Sequence, residues 1–258
     1  MHTSVDTHAH VFHRGLPLAA NRRYAPDYDA RLADYLAELD RHDIGRAVLV
    51  QPSFLGTDNT FLLDCAARRP ERLRAVVVVD PAELDLAGLD RLHAVGVRGI
   101  RLNLIGAQVP DLAAWEPFAD RMAKLGVHLE FQARGPQWVQ LAPALRDWPG
   151  PVVIDHVGLP RCATDPGRRA VRELAAHEHV WVKVSAPYRS PSGQASAAAA
   201  ELADTVGADR LLWGSDWPWT QHERDRSFGE LLSWAQALLG ARFARVLREN
   251  PARLLDWS

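Results

Sequence analysis

ArgAlaValLeuValGlnPro (46–52), AspAsnThrPheLeuLeuAspCysAlaAlaArgArg (58–69) and ArgAlaValValValValAsp (74–80) form the stretch that decides the fold. The two outer runs are β-branched and almost free of polar residues, the pattern of strands buried on both faces. The segment between them is longer and amphipathic, as a helix is. Strand, helix, strand is the parallel crossover unit.

Outward from there the alternation continues in both directions. Strands are expected at 4–10, 46–52, 74–80, 98–104, 127–133, 151–157, 180–186 and 210–216. Helices are expected at 29–42, 58–69, 82–95, 111–125, 136–147, 165–178, 194–206 and 226–248, the last as 226–239 followed by a further helix over 241–256. Leu32, Leu36 and Leu39 recur at helical spacing. Gly96-Val97, Gly126-Val127 and Gly207-Ala208 stand where helices should stop. Eight strand–helix units without an internal break predict one α/β domain over residues 1–258, a closed (β/α)8 TIM barrel. An open doubly wound sheet competes, but no G-x-G-x-x-G follows an early strand.

Composition narrows the function classes. A net charge of −2 gives no basic field for nucleic acid. No apolar run nears the ~20 residues that span a bilayer. The polar opening MetHisThrSerValAspThrHisAlaHis reads as no secretory leader. Two cysteines, Cys65 in a helix and Cys162 in a loop, suggest no disulfide framework and fit the cytoplasm. The expected partner is a small-molecule substrate, and a homo-oligomer is compatible with the sequence.

In a parallel barrel the C-terminal strand ends converge on one face, so chemistry is sought there. The first strand ends in His8-Ala9-His10, whose period-two spacing puts both imidazoles on one face. The sixth ends in Asp155-His156 and the eighth in Ser215-Asp216. His8, His10, His156 and Asp216 are the candidate catalytic residues, because such groups are costly to bury without a role or a partner. Asp6 is expected on the same strand face, one layer deeper, accepting an imidazole N–H. Arg101 is expected either to pair with a buried carboxylate or to hold a substrate carboxylate. His2, His42, His93, His177, His179 and His222 read as solvated surface, and His13 as nearer the mouth. The tryptophans of 213–219 read as packing and wall. Loops 11–29 and 186–194 are long enough to cover the mouth.

ValAspThrHisAlaHis (5–10), ValIleAspHisValGly (153–158) and LeuTrpGlySerAspTrpPro (212–218), closing on AsnProAlaArgLeuLeu (250–255), resemble the amidohydrolase-2 group of the amidohydrolase superfamily. GlnProSerPheLeuGlyThrAspAsn (51–59) is similar to its lactonase-like branch, which contains 2-pyrone-4,6-dicarboxylate hydrolase. The resemblance implies a TIM barrel, hydrolysis of a lactone or related ester, and water activated at Asp216. It makes Arg101, Ser53, Arg189 and Tyr24 substrate-binding candidates, with His8, His10 and His156 donating N–H groups to the carbonyl. No further arginine follows strand four, where Ile105-Gly106-Ala107-Gln108 stands, which weakens the case for a dicarboxylate.

Strand four carries no Lys or Glu ligand and His128 stands at the wrong end of strand five, so a two-metal centre is not expected. The branch implies no cofactor; the alternative is one divalent metal such as zinc held by His8, His10, His156 and Asp216. That alternative would serve a metal-dependent hydrolase or a nonoxidative decarboxylase on the same scaffold. A non-catalytic binding barrel would show a flat apolar patch in place of a pocket.

Overall fold

The computed structural model describes residues 3–257, so His2 lies outside the described residues. The strands are β1 (Val5–Ala9), β2 (Arg46–Val50), β3 (Leu73–Val77), β4 (Val97–Asn103), β5 (His128–Gln132), β6 (Val152–Ile154), β7 (Val180–Ser185) and β8 (Leu211–Gly214). They form one sheet in chain order with every neighbouring pair parallel. The helices α1 (Leu32–Arg41), α2 (Thr60–Ala67), α3 (Leu86–Ala94), α4 (Glu116–Leu125), α5 (Pro136–Arg146), α6 (Pro166–Ala175), α7 (Gln194–Thr205) and α8 (Phe228–Leu239) alternate with them, and α9 (Asn250–Leu254) ends the chain. The barrel closes beyond β8, where the Asp216 N–H donates to His8 O at 2.8 Å and the His10 N–H to Trp217 O at 2.7 Å. The expected TIM barrel is present.

Local signals set the helix ends. Asp165 caps α6 by accepting from the Gly167 N–H, with Pro166 in the first turn, and Ser227 caps α8 through Glu230 N–H. Gly126 ends α4 at φ 65°, a conformation that a side chain would strain.

Alternation divides the strands' side chains. Ala47, Leu49, Ala75 and Val77 pack outward with Tyr35, Leu39 and Leu62 under the helices. Val5, Val48, Val76, Val153, Trp181 and Leu212 form a second apolar cluster, closed off by Leu254, Leu255 and Trp257. Arg46 and Arg74, at the N-terminal ends of their strands, stack on Trp257, so this cluster is the barrel floor.

Two elements differ from expectation. β6 stops at Ile154 rather than running to 157, because Asp155 and His156 both enter the barrel, which strict alternation forbids. The chain solves this with a tight turn that holds His156 at φ 51° and Val157 at φ 55°. The break expected after residue 239 is present, with α8 ending at Leu239 and Gly240 at φ 54°, but in place of a continuous helix over 241–256 a π-helical turn over Arg245–Glu249 leads into the short α9.

Candidate active site

His8 and His10 point into the barrel mouth from β1 and the residue beyond it. Asp6 does not join them. Pairing of β1 with β2 shifts register between Asp6 and Ala9, which turns Asp6 to the outer face. There it accepts from Tyr35 Oη at 2.8 Å, Ser215 Oγ at 2.5 Å and the N–H groups of Ser215 and His8. Burial pushes its carboxyl up to about 6, against those hydrogen bonds. Asp6 therefore ties β1 to β8 and α1 and takes no imidazole proton. Gly214 serves the same seam, since a Cβ there would meet His8 Cβ at 2.6 Å.

Asp216 stands at the centre, at φ 56° and fully buried. Its Oδ2 accepts from Tyr188 Oη at 2.5 Å and Arg189 Nε at 2.6 Å. Its Oδ1 has no hydrogen-bond partner among the described residues. Three imidazole nitrogens surround Oδ1: Nε2 of His8 at 3.7 Å, of His10 at 3.8 Å and of His156 at 3.7 Å. These are too long for hydrogen bonds and leave room for a small group between them. Burial disfavours the Asp216 charge, but the Arg189 guanidinium beside it outweighs this and holds the carboxyl well below the usual range. Burial pushes both His10 and His156 down to about 4, against the pull of Asp216, and pushes His8 well below its ordinary value. All three rings are neutral at pH 7.

The outer nitrogen of each ring fixes what the inner one offers. His10 Nδ1 lies 2.7 Å from Val50 O, which only accepts, so Nδ1 carries the proton and Nε2 presents a lone pair. The expectation that His10 donates an N–H into the mouth is therefore wrong. His156 Nδ1 meets Ser185 Oγ at 2.8 Å, and a hydroxyl serves either tautomer.

Beneath the mouth lies a buried ionic layer. Lys183 Nζ donates to Glu130 Oε2 at 2.5 Å and reaches His8 Nδ1 at 3.0 Å and Asp155 Oδ1 at 3.3 Å. Arg101 donates to Asp155 Oδ2 through Nε at 3.1 Å and to Gln132 Oε1 at 2.8 Å. Two cations thus balance two carboxylates, the condition under which buried charge is tolerated. Burial opposes the Asp155 charge, and Lys183 and Arg101 override it, holding this acid far down. His128 sits lower still, 3.3 Å from Glu130, in space that exists because residue 99 is glycine.

Ligand-type atoms of His8, His156 and Asp216 lie within 4.8 Å of one another, a spacing that a single divalent ion can bridge. His8, Glu130 and Asp155 form a second such group one layer down.

The mouth opens into a cavity of about 440 Å³. Each substrate-binding candidate lines it: Arg101, Ser53, Arg189 and Tyr24. Arg101 faces the cavity and pairs with Asp155 as well, so both expectations for it hold in part. Arg189 spends Nε on Asp216 and Nη2 on Thr220. Tyr24 Oη donates to Glu223, as does Tyr28 Oη, latching loop 11–29 to the loop after β8. Three further arginines line the same space: Arg23 from loop 11–29, Arg134 after β5 and Arg161 after β6. The positive charge missing after strand four thus arrives from other loops at the mouth. The strand-end rule itself would have found Arg134. His222 also lines the cavity, against the expectation of a solvated ring, and packs on Tyr188 with centroids 5.1 Å apart. Sequence reasoning gave Tyr188 no role, and nothing in its spacing marked it. Trp213 and Trp217 pack in the core as expected.

A closed parallel barrel with imidazoles and an acid at its C-terminal mouth defines a barrel enzyme of the amidohydrolase type. The family model described as amidohydrolase matches residues 5–257, and the chain belongs to that family. It is 31% identical to 4-sulfomuconolactone hydrolase from Rhizobium radiobacter, over 96% of this chain and 88% of that protein. It is 33% identical to 2-pyrone-4,6-dicarboxylate hydrolase from Comamonas testosteroni, over 83% of this chain and 76% of that one. Among solved structures it is similar to a probable 2-pyrone-4,6-dicarboxylic acid hydrolase from Acinetobacter baumannii with citric acid bound. That match has a TM-score of 0.91 and 32% identity, and covers 98% of this chain and 99% of the other. No helix among the described residues is long and apolar enough to cross a membrane.

Proposed function

We propose that this protein hydrolyses a small lactone bearing more than one anionic group, with Asp216 as general base. The observation that carries this reading is the charge of the cavity: Arg23, Arg101, Arg134, Arg161 and Arg189 line it, and Asp216 is its only carboxylate among the described residues. Relatives named for a sulfomuconolactone and a pyrone dicarboxylate support it.

Asp216 Oδ1 and His10 Nε2 are both acceptors, 3.8 Å apart. A water between them is turned so that its protons face these two atoms and its free lone pair faces the substrate. The water oxygen bonds to the lactone carbonyl carbon while Asp216 takes a proton, an assistance worth roughly 10²–10⁴-fold. The carbonyl oxygen gains the charge and is held by N–H donors on the facing rings, His8 and His156. Collapse breaks the ring C–O bond, and the leaving oxygen receives the proton from Asp216. Arg101 and the rim arginines hold the anionic groups, and Ser53 and Tyr24 offer hydrogen bonds at the same wall. Arg189 and Tyr188 keep Oδ2 occupied, so that Oδ1 is the atom that works.

The reaction on this reading needs no cofactor and proceeds in a reducing cytoplasm, which suits the free Cys65 and Cys162. A second reading, one divalent ion on His8, His156 and Asp216, is favoured by their spacing and by the unpartnered His8 Nε2 and Asp216 Oδ1. Such an ion would polarise the carbonyl or acidify a bound water.

The test is a panel of lactones with two, one and no anionic groups, followed by proton release, with the metal content of the purified protein measured in parallel. Expected is a specificity constant that falls steeply as anionic groups are removed, unchanged by chelation. Equal turnover of a neutral lactone would remove the arginine argument. Loss of activity on chelation would favour the ion, and CO2 release would point to decarboxylation.

A further inference from the structure

Three of the mouth's four central residues, His8, His156 and Asp216, have the spacing of a metal site, yet one of them is held in a protonation state that opposes metal binding. His8 Nδ1 has two neighbours, Lys183 Nζ at 3.0 Å and Asp155 Oδ1 at 3.2 Å. A lysine ammonium has donors and no acceptor. Asp155 Oδ1 lies farther from Nδ1 than the ammonium does and makes no hydrogen bond of ordinary geometry, so it is the weaker of the two neighbours. Nδ1 is therefore the acceptor of a Lys183 N–H, which leaves the ring proton on Nε2. His8 Nε2 is buried and unpartnered, a donor facing the gap beside Asp216 Oδ1, 3.7 Å away, at the base of the mouth. A nitrogen that carries a proton cannot bind a cation.

We propose that Lys183 is a positioning residue that locks His8 in the Nε2–H tautomer, converting a potential metal ligand into an oxyanion donor. Lys183 is suited to this because it is fixed itself. Its ammonium lies between Glu130 and Asp155, its side chain is almost wholly buried, and it rises from β7 directly under the ring. Asp155 is the alternative partner. Without the ammonium, the ring would give Nδ1–H to Asp155 and turn a lone pair toward Asp216. The lysine thus decides which of the two chemistries of this donor set is open. The catalytic part rests on the lactone-hydrolase reading; the tautomer does not.

The test is ¹⁵N NMR of the histidine rings in the full-length protein near pH 7, with His8 assigned by its loss in His8→Gln. The wild-type ring is expected as the Nε2–H tautomer, and Lys183→Met is expected to move it to Nδ1–H. With the lactone, Lys183→Met should lose about 10²–10³-fold in kcat, as for one oxyanion donor, with KM changed less than threefold. Zinc titration of the same variant should show at least tenfold tighter binding than wild type. An Nδ1–H ring in the wild type overturns the proposal, and this measurement requires no variant to fold. So does a ring that stays Nε2–H in Lys183→Met, or in Lys183→Met/Glu130→Gln, where the charge balance is kept. If the tautomer is as stated but no lactone is cleaved, only the functional reading fails. If lactones are cleaved by a protein whose His8 is Nδ1–H, only this one does.

Discussion

The floor and the mouth of this barrel are made from the same eight strands and follow opposite rules. At the floor, Val5, Val48, Val76, Val153 and Leu212 meet Leu255 and Trp257, and the charged groups against this cluster, Arg46, Arg74 and Arg253, stack on its tryptophans. A few residues along the same strands, Glu130, Asp155, Lys183, Arg101 and Asp216 are buried as deeply. The floor stabilises by removing apolar surface from water. The mouth is a region where stability has been given up to hold charges and left-handed residues in place, as His156, Ala186 and Asp216 show at three successive strand ends. Floor changes should therefore alter stability and not chemistry, and substitutions at the mouth should alter chemistry.

The largest expected effect is at the centre of the mouth. Asp216→Asn should lower kcat by about 10³-fold and also lower the melting temperature, because it leaves the Arg189 guanidinium without its buried partner. Near-normal turnover in steady-state assays would take Asp216 out of the chemistry. At the floor, Trp257→Ala should cost about 3–5 kcal/mol of stability, read by denaturant unfolding. Its kcat/KM per folded molecule should be unchanged, and a tenfold fall would break the division drawn here.

Lowering the pH weakens the native state through the mouth histidines, while Asp6, with its carboxyl at about 6, works in the opposite sense. His10 and His156 have folded values of about 4, below the ordinary 6.5. Between these values the unfolded chain binds protons that the native chain does not, so stability falls as pH drops through this window. Each ring contributes up to about 3 kcal/mol. Unfolding free energies at pH 7 and pH 4.5 check this, and kcat/KM should be flat above about pH 5.5, as the rings are already neutral there. A floor variant should show the same pH slope as the wild type.

Smaller effects belong to the rim. Arg134 is exposed, so Arg134→Ala should raise KM for a dianionic lactone about tenfold and weaken its salt dependence, with kcat retained. An unchanged KM would exclude Arg134 from binding. Tyr24→Phe removes one of the two tyrosine bonds to Glu223. It should cost under about 1.5 kcal/mol, seen as a small rise in proteolysis of loop 11–29.

Much of this was legible in the residues alone. Alternating apolar runs and amphipathic segments specify eight strand–helix units, because burial on two faces and burial on one face leave different periods. Strand-end reading specified His8, His10, His156 and Asp216, because a parallel barrel brings all C-terminal ends to one face. What the pattern could not carry is direction and pairing. A one-residue register shift moved Asp6 out of the mouth, and a tight turn moved both Asp155 and His156 into it. The arginine rim comes from loops that only closure of the barrel makes neighbours. Whether an imidazole presents a proton or a lone pair is set by the atom on its far side: Val50 O for His10 and Lys183 Nζ for His8. Those atoms lie 40 and 175 positions away along the chain. Local propensity acts over a few residues, and a hydrogen bond between distant strands exists only once the barrel has closed.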